Sequence, residues 1–202
     1  IQAECNIWLD STNEQKVFEL FYTSLRDDLN KNKFMVFTEE SVNTFLGLKA
    51  ESKIFHLAQF EIDADIIPYQ QQYDSLIYSQ TFFLNSTRLN AWFEVSAFNN
   101  IEDTSSVLFS DEYISDVVKG FFNHSFITDE VKFIYSRRDI TKEDVYVFAA
   151  SFGSLNASYI FDYFLNDYIQ RNYHGKHPLK YYHFDKNSST IKPAAYNRFI
   201  FM

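Results

Sequence analysis

The chain's apolar residues recur at helical spacing along most of its length. Val17, Phe18, Phe21, Leu25 and Leu29 follow a period near 3.6 and predict an amphipathic helix. Thr38 has the character of an N-cap, with a short helix through Leu46 and Gly47 as its stop. Ile54, Leu57, Ala58 and Phe60 predict the next helix. Asp65 to Pro68 reads as a cap with Pro in the first turn, leading into a stripe of Tyr69, Tyr73, Leu76, Ile77 and Phe83. Leu89, Trp92, Phe93 and Ser96 predict a further short helix.

The pattern continues behind Ser110. Asp111 and Glu112 would occupy a first turn, with Ile114, Val117, Val118, Phe121 and Phe122 on one face. Thr128-Asp129-Glu130 starts another helix. Thr141 and Asp144 resemble a capping box that leads into Val145, Phe148 and Ala149. Gly153 is expected to end that run. Ile160, Tyr163, Phe164 and Tyr168 mark a last helix from about 156 to 171. Lys33 to Phe37 and Arg198 to Met202 are the candidate strands. The fold class expected is all-α: about nine short helices in antiparallel pairs, as a HEAT-like stack or a bundle. Residues 1–173 form the helical domain and 174–202 an irregular, aromatic and polar tail.

Composition supports that expectation. Only 4 Gly and 3 Pro occur in 202 residues, and sandwiches or barrels lean on both for tight turns. The hydrophobic fraction of 46% argues for a buried core rather than disorder. Net charge is -9, which opposes a nucleic-acid partner because phosphate binding needs clustered Lys and Arg. The one dense basic pair, Arg137 and Arg138, adjoins Asp139. No run of about 18 apolar residues exists, so no transmembrane segment is predicted. A chain opening on Ile1 is expected to be a mature product, a proteolytic piece or part of a longer polypeptide.

Chemistry-bearing motifs are sparse. His174, His177 and His183 cluster near the end, but no spacing or carboxylate completes a zinc set. Cys5 is the single cysteine, so no internal disulfide forms, and it has no base in a recognisable motif. Ser151 to Ser154 lacks the Gly-x-Ser-x-Gly spacing of a nucleophile elbow. The acidic pairs Asp27-Asp28, Glu39-Glu40 and Asp63-x-Asp65 read as solvated helix starts or polar faces. Tyr159, Tyr163 and Phe164 read as core, with a peptide groove as the alternative. No catalytic residue, metal site or cofactor is therefore assigned. Four Asn-x-Ser/Thr sequons begin at Asn85, Asn123, Asn156 and Asn187, where about two would arise from composition. The excess points to a glycoprotein in the secretory lumen or outside the cell.

Two stretches resemble the C-terminal helical domain of the M1 zinc aminopeptidases. Phe60 to Tyr69 (FEIDADIIPY), followed by Tyr73 to Tyr78, is similar to that family's acidic stretch, Ile-Pro-Trp and Leu-x-Tyr helix. Ile140 to Asp144, then Phe161 to Leu165 and Tyr168, is similar to its Arg-x-Gln-Asp helix, Trp-Asp-Phe and later Trp. Tyr or Phe stands where the family has Trp, and the two stretches lie closer together here. The family's His-Glu-x-x-His and Gly-x-Met-Glu-Asn motifs are absent. The resemblance implies a non-catalytic helical accessory domain or fragment of an extracellular aminopeptidase-like protein, shaping peptide access to a site elsewhere. The alternative is a free-standing secreted helical module that binds a peptide or protein. An enzyme in its own right rests on no motif, and oligomeric state is not legible.

Overall fold

A computed structural model describes residues 12–48, 52–73, 78–97, 106–128, 130–172, 181–194 and 199–201. Its order begins with helix α1 (Glu14–Lys31), a 3-10 turn (Glu39–Ser41) and the short helix α2 (Val42–Leu46). Five strands follow: β1 (Lys53–Tyr73), β2 (Tyr78–Ala97), β3 (Ser106–Ser115), β4 (Val117–Ser125) and β5 (Glu130–Arg138). Then come helix α3 (Lys142–Asn172) and strands β6 (Tyr182–Asp185), β7 (Thr190–Pro193) and β8 (Phe199–Phe201). The main sheet is antiparallel in the order β1-β2-β3-β8, and β4-β5 and β6-β7 are separate two-stranded sheets.

This corrects the all-α expectation and its helical-repeat architecture. Among the described residues there are three α-helices and eight strands. Ile54 to Phe60 and Asp65 to Tyr73 lie on β1, and Leu89 to Ser96 lies on β2. The stripe from Ile114 to Phe122 is split by Asp116 into the end of β3 and the start of β4. Asp65-Ile66-Ile67-Pro68 is no helix start, since all four residues pair with β2. So the first stretch carrying the aminopeptidase resemblance is strand as far as it is described. Lys33 to Phe37 is irregular, whereas Phe199–Phe201 pairs with β3. The tail holds the β6-β7 hairpin. Leu76, Ile77 and Asp129 lie outside the described residues.

Several helical readings hold: a 3-10 turn and short helix run from Glu39 to Leu46 and end at Gly47, and 156–171 is helix within α3. Val17, Phe21, Leu25 and Leu29 form the buried face of α1, whose cap is Asn13: its side chain accepts from the Lys16 amide. Thr141 and Asp144 form the capping box of α3. The Asp144 carboxylate accepts from the Thr141 amide at 2.9 Å, and the Thr141 hydroxyl accepts from the Asp144 amide at 3.3 Å. Gly153 does not end this helix, which is 31 residues long and continues to Asn172. A Cβ there would stand 2.2 Å from the Phe21 carbonyl oxygen, so glycine lets α1 and α3 cross in contact.

The two helices cover one face of the main sheet. Leu89, Ala91, Phe93 and Val95 of β2 and Leu108 of β3 meet Val17, Phe21, Phe152 and Ile160 in one buried cluster. Phe60 of β1 seats its ring 4.7 Å from that of Phe21. One polar bond ties the layers: Ser110 of β3 donates to Asn156 Oδ1 of α3 at 2.6 Å, with both residues buried. A buried donor and acceptor left unpaired would each cost about 1–3 kcal/mol, so this pair fixes how the helix registers on the sheet.

Candidate functional site

Period-2 alternation sends the other half of these side chains to the opposite sheet face. Register aligns them in cross-strand rows: Gln59, Trp92 and Phe109; then Glu61, Asn90 and Asp111; then Asp63, Arg88 and Tyr113. Trp92 and Phe109 form a tilted ring pair at 4.6 Å. Asn90 is buried and donates to Asp63 at 3.0 Å and to Glu61 at 3.4 Å, holding both carboxylates in place. Arg88 stands 4.0 Å from Asp111, and Tyr113 is 57% exposed. Asp65 follows on the same side of β1, opposite Ser86. Four carboxylates thus face one guanidinium on this surface.

β1 is also an edge of the sheet, and two clefts flank its middle. One, of about 490 Å3, is lined by Asp63, Asp65, Ile67, Ser86, Arg88 and Tyr113. The other, of about 550 Å3, lies between the start of α1 and β1, with Glu14, Phe18, Phe60, Glu61 and Asp63 in its wall. Phe18 and Phe60 meet edge-to-face at 5.7 Å there, and Phe18 is 40% exposed. The edge between them is regular: its bulge lies upstream, between Leu57 and Gln59, and Pro68 lies downstream. Bulges and prolines blunt sheet edges, and here they bracket a regular segment that carries the charges of Glu61, Asp63 and Asp65 and in which the Ile66 amide donates to Asp65 Oδ1 at 2.7 Å.

The residues singled out by sequence fall in several places. Asn85 sits within β2 and donates from Nδ2 to Asp116 at 3.1 Å; Thr87 of the same sequon is fully buried. Asn156 is fully buried, with Nδ2 donating to the Phe152 carbonyl and Oδ1 accepting from Ser110. Asn123 on β4 and Asn187 in the β6-β7 turn are exposed. His183 is on β6, while His174, His177 and Cys5 lie outside the described residues. Among the described residues no group of three His, Cys, Asp or Glu side chains could hold a metal ion. Ser151 and Ser154 are on α3, where the Ser151 hydroxyl donates to the Val147 carbonyl. Asp28 on α1 is held below the usual carboxylate range by its bond with Lys31. Glu39 and Glu40 begin the 3-10 turn. Tyr159 is buried in the core, and Tyr163 and Phe164 pack against it.

The sequence reading noted Asp63 and Asp65 but missed Glu61, Asn90, Arg88, Trp92, Phe109 and Tyr113 as one surface. The signal was the alternation from Gln59 to Ile66 (QFEIDADI), polar and apolar in strict turn. No described helix is long and apolar enough to cross a membrane. Compared with family models, curated proteins and solved structures, the chain has no match.

Proposed function

We propose that this chain is a non-catalytic binding module that captures an extended peptide or a strand of a partner protein along β1. The observation that supports the reading is the regular, bulge-free edge between Gln59 and Pro68, flanked by two clefts. An edge strand offers unpaired N–H and C=O groups that a further strand can satisfy, and flanking pockets select its side chains. Binding to a peptide or protein is thereby kept from the sequence reading, without its helical architecture. A secretory setting belongs to the same proposal and is supported by the exposure of Asn123 and Asn187.

Panning a random peptide display library against the purified chain tests this. Enriched peptides should shift the amide resonances of residues 60–67 and of the first turn of α1. Failure to enrich any peptide, or shifts confined to the β4-β5 hairpin or the far end of α3, would overturn it.

A further inference from the structure

From the chemistry on the two sides of β1 we infer that the bound strand alternates basic and apolar residues. The inference rests on the edge-binding reading above and adds what the partner must look like. On the open side β1 presents Glu61, Asp63 and Asp65, each two residues from the next. Such residues are about 7 Å apart along a strand, the same repeat as the same-face side chains of an added strand. Directly opposite pairs bring their Cβ atoms to about 5 Å, within reach of Lys or Arg. On the helix side the edge meets Phe18 and Phe60, whose rings wall the second cleft. Glu14 adds a fourth carboxylate at its rim.

The neighbouring cations leave this strip net negative, since Arg88, opposite Asp63, is one guanidinium against Glu61, Asp63, Asp65 and Asp111. Lys16 of α1 lies over the Tyr146 ring, 4.0 Å from its centre. Arg88 stands on β2, inside the sheet relative to the free edge, and its ion pair is with Asp111. Asp63 and Asp65 form no ion pair among the described residues. An incoming strand therefore meets carboxylates at every second position on one side and, on the other, the apolar Phe60, Ile62 and Ala64 of β1 with Phe18 of α1 beside them. Arg or Lys alternating with Val, Ile or Leu complements both sides; an acidic strand would place like charges opposite one another.

Three labelled peptides of about nine residues test this by fluorescence anisotropy at low salt: alternating Arg and Val, alternating Glu and Val, and Arg and Val in two separate blocks. The alternating basic peptide should bind tightest and should slow hydrogen exchange of the amides in residues 60–67. The double variant Glu61→Gln/Asp63→Asn, which keeps acceptors for Asn90, should weaken it by about fivefold or more. Thermal unfolding checks that this variant is folded. If the Glu–Val peptide binds as tightly as the Arg–Val peptide, the basic partner is wrong and edge binding stands. If the block peptide binds as tightly, the attraction is of charge alone and the alternating register is wrong. If no peptide binds here and panning yields none, both readings fall.

Discussion

The carboxylate of Asp116, with a fully buried side chain, lies 2.6 Å from the guanidinium of Arg137. The same carboxylate accepts from the backbone amides of Asn85 at 2.9 Å and Ile140 at 2.8 Å, and from Asn85 Nδ2. One side chain at the β3-β4 corner thus holds β2, the end of β5 and the approach to α3 together. The edge of β1 depends on β2 for its position, so this corner underlies the proposed site without touching it.

Asp116 is buried but Arg137 is about a third exposed and also pairs with Asp139, so removing Asp116 chiefly leaves the Asn85 and Ile140 amides unsatisfied, at about 1–3 kcal/mol each. Asp116→Ala should destabilise by that order, a large fraction of the roughly 5–15 kcal/mol typical of a domain. Arg137→Met should also destabilise, and a double-mutant cycle in urea should show coupling between the two. Additive losses would mean that the pair is not coupled in solution.

Gly153 carries the closest approach of α1 and α3. Alanine there improves helix propensity by about 1 kcal/mol, but its Cβ would stand 2.2 Å from the Phe21 carbonyl oxygen, and that oxygen is backbone. The clash wins, since overpacking costs about 1–3 kcal/mol and moving a whole helix lies at the upper end. Gly153→Ala should lower the urea midpoint, and Gly153→Val should lower it further. An unchanged or raised midpoint for the alanine variant would show that the helices do not cross here.

Why the sheet went unread is a matter of period and turn count. In a chain that is 46% apolar, helical spacing can be found in many windows by choice of residues. Ile54, Leu57 and Phe60 fit such a stripe, yet QFEIDADI at 59–66 alternates strictly and that is the rarer pattern. Few glycines and prolines favoured helices over tight-turned sheets, but strands of 21 and 20 residues need few turns. The 23 Phe and 14 Tyr also favour strands. The readings that succeeded were local ones: the stripe of α1, the short helix that stops at Gly47, the Thr141–Asp144 box and the helix over 156–171. Gly153 failed as a stop because its role is set by Phe21, 132 positions away along the chain and invisible to local reasoning. The edge of β1 likewise exists only through the strand order.

The capping box of α3 carries a pH dependence. Bonds from the Thr141 amide and hydroxyl, and then from Arg138, hold the Asp144 carboxyl below its ordinary value of 3.8. A carboxyl lowered by folding stabilises the fold above its unfolded pKa, and the gain is lost as pH falls through the folded pKa. Asp144→Ala should therefore be less stable than the parent at pH 7, and the gap should narrow as pH falls below 3.8 through the lowered folded pKa. A gap independent of pH would assign the effect to something other than this carboxylate. Chemical denaturation across the range reads it directly.

The four sequons should divide by burial when the protein is made through a secretory pathway. Asn123 and Asn187 are exposed and can carry glycans without disturbing the fold. A glycan on Asn156 would take the Nδ2 that binds the Phe152 carbonyl and wedge sugar between α3 and β3, where the residue has no exposure at all. A glycan on Asn85 would break its bond to Asp116 at the corner described above. The intact mass of the folded protein should accordingly fall in two steps with Asn123→Gln and Asn187→Gln and show no glycan after both. Asn85→Gln and Asn156→Gln should leave the glycan mass untouched. A glycan on Asn156 of folded, secreted protein would contradict the packing of α3 on the sheet, because Ser110 and Asn156 could not then be in contact.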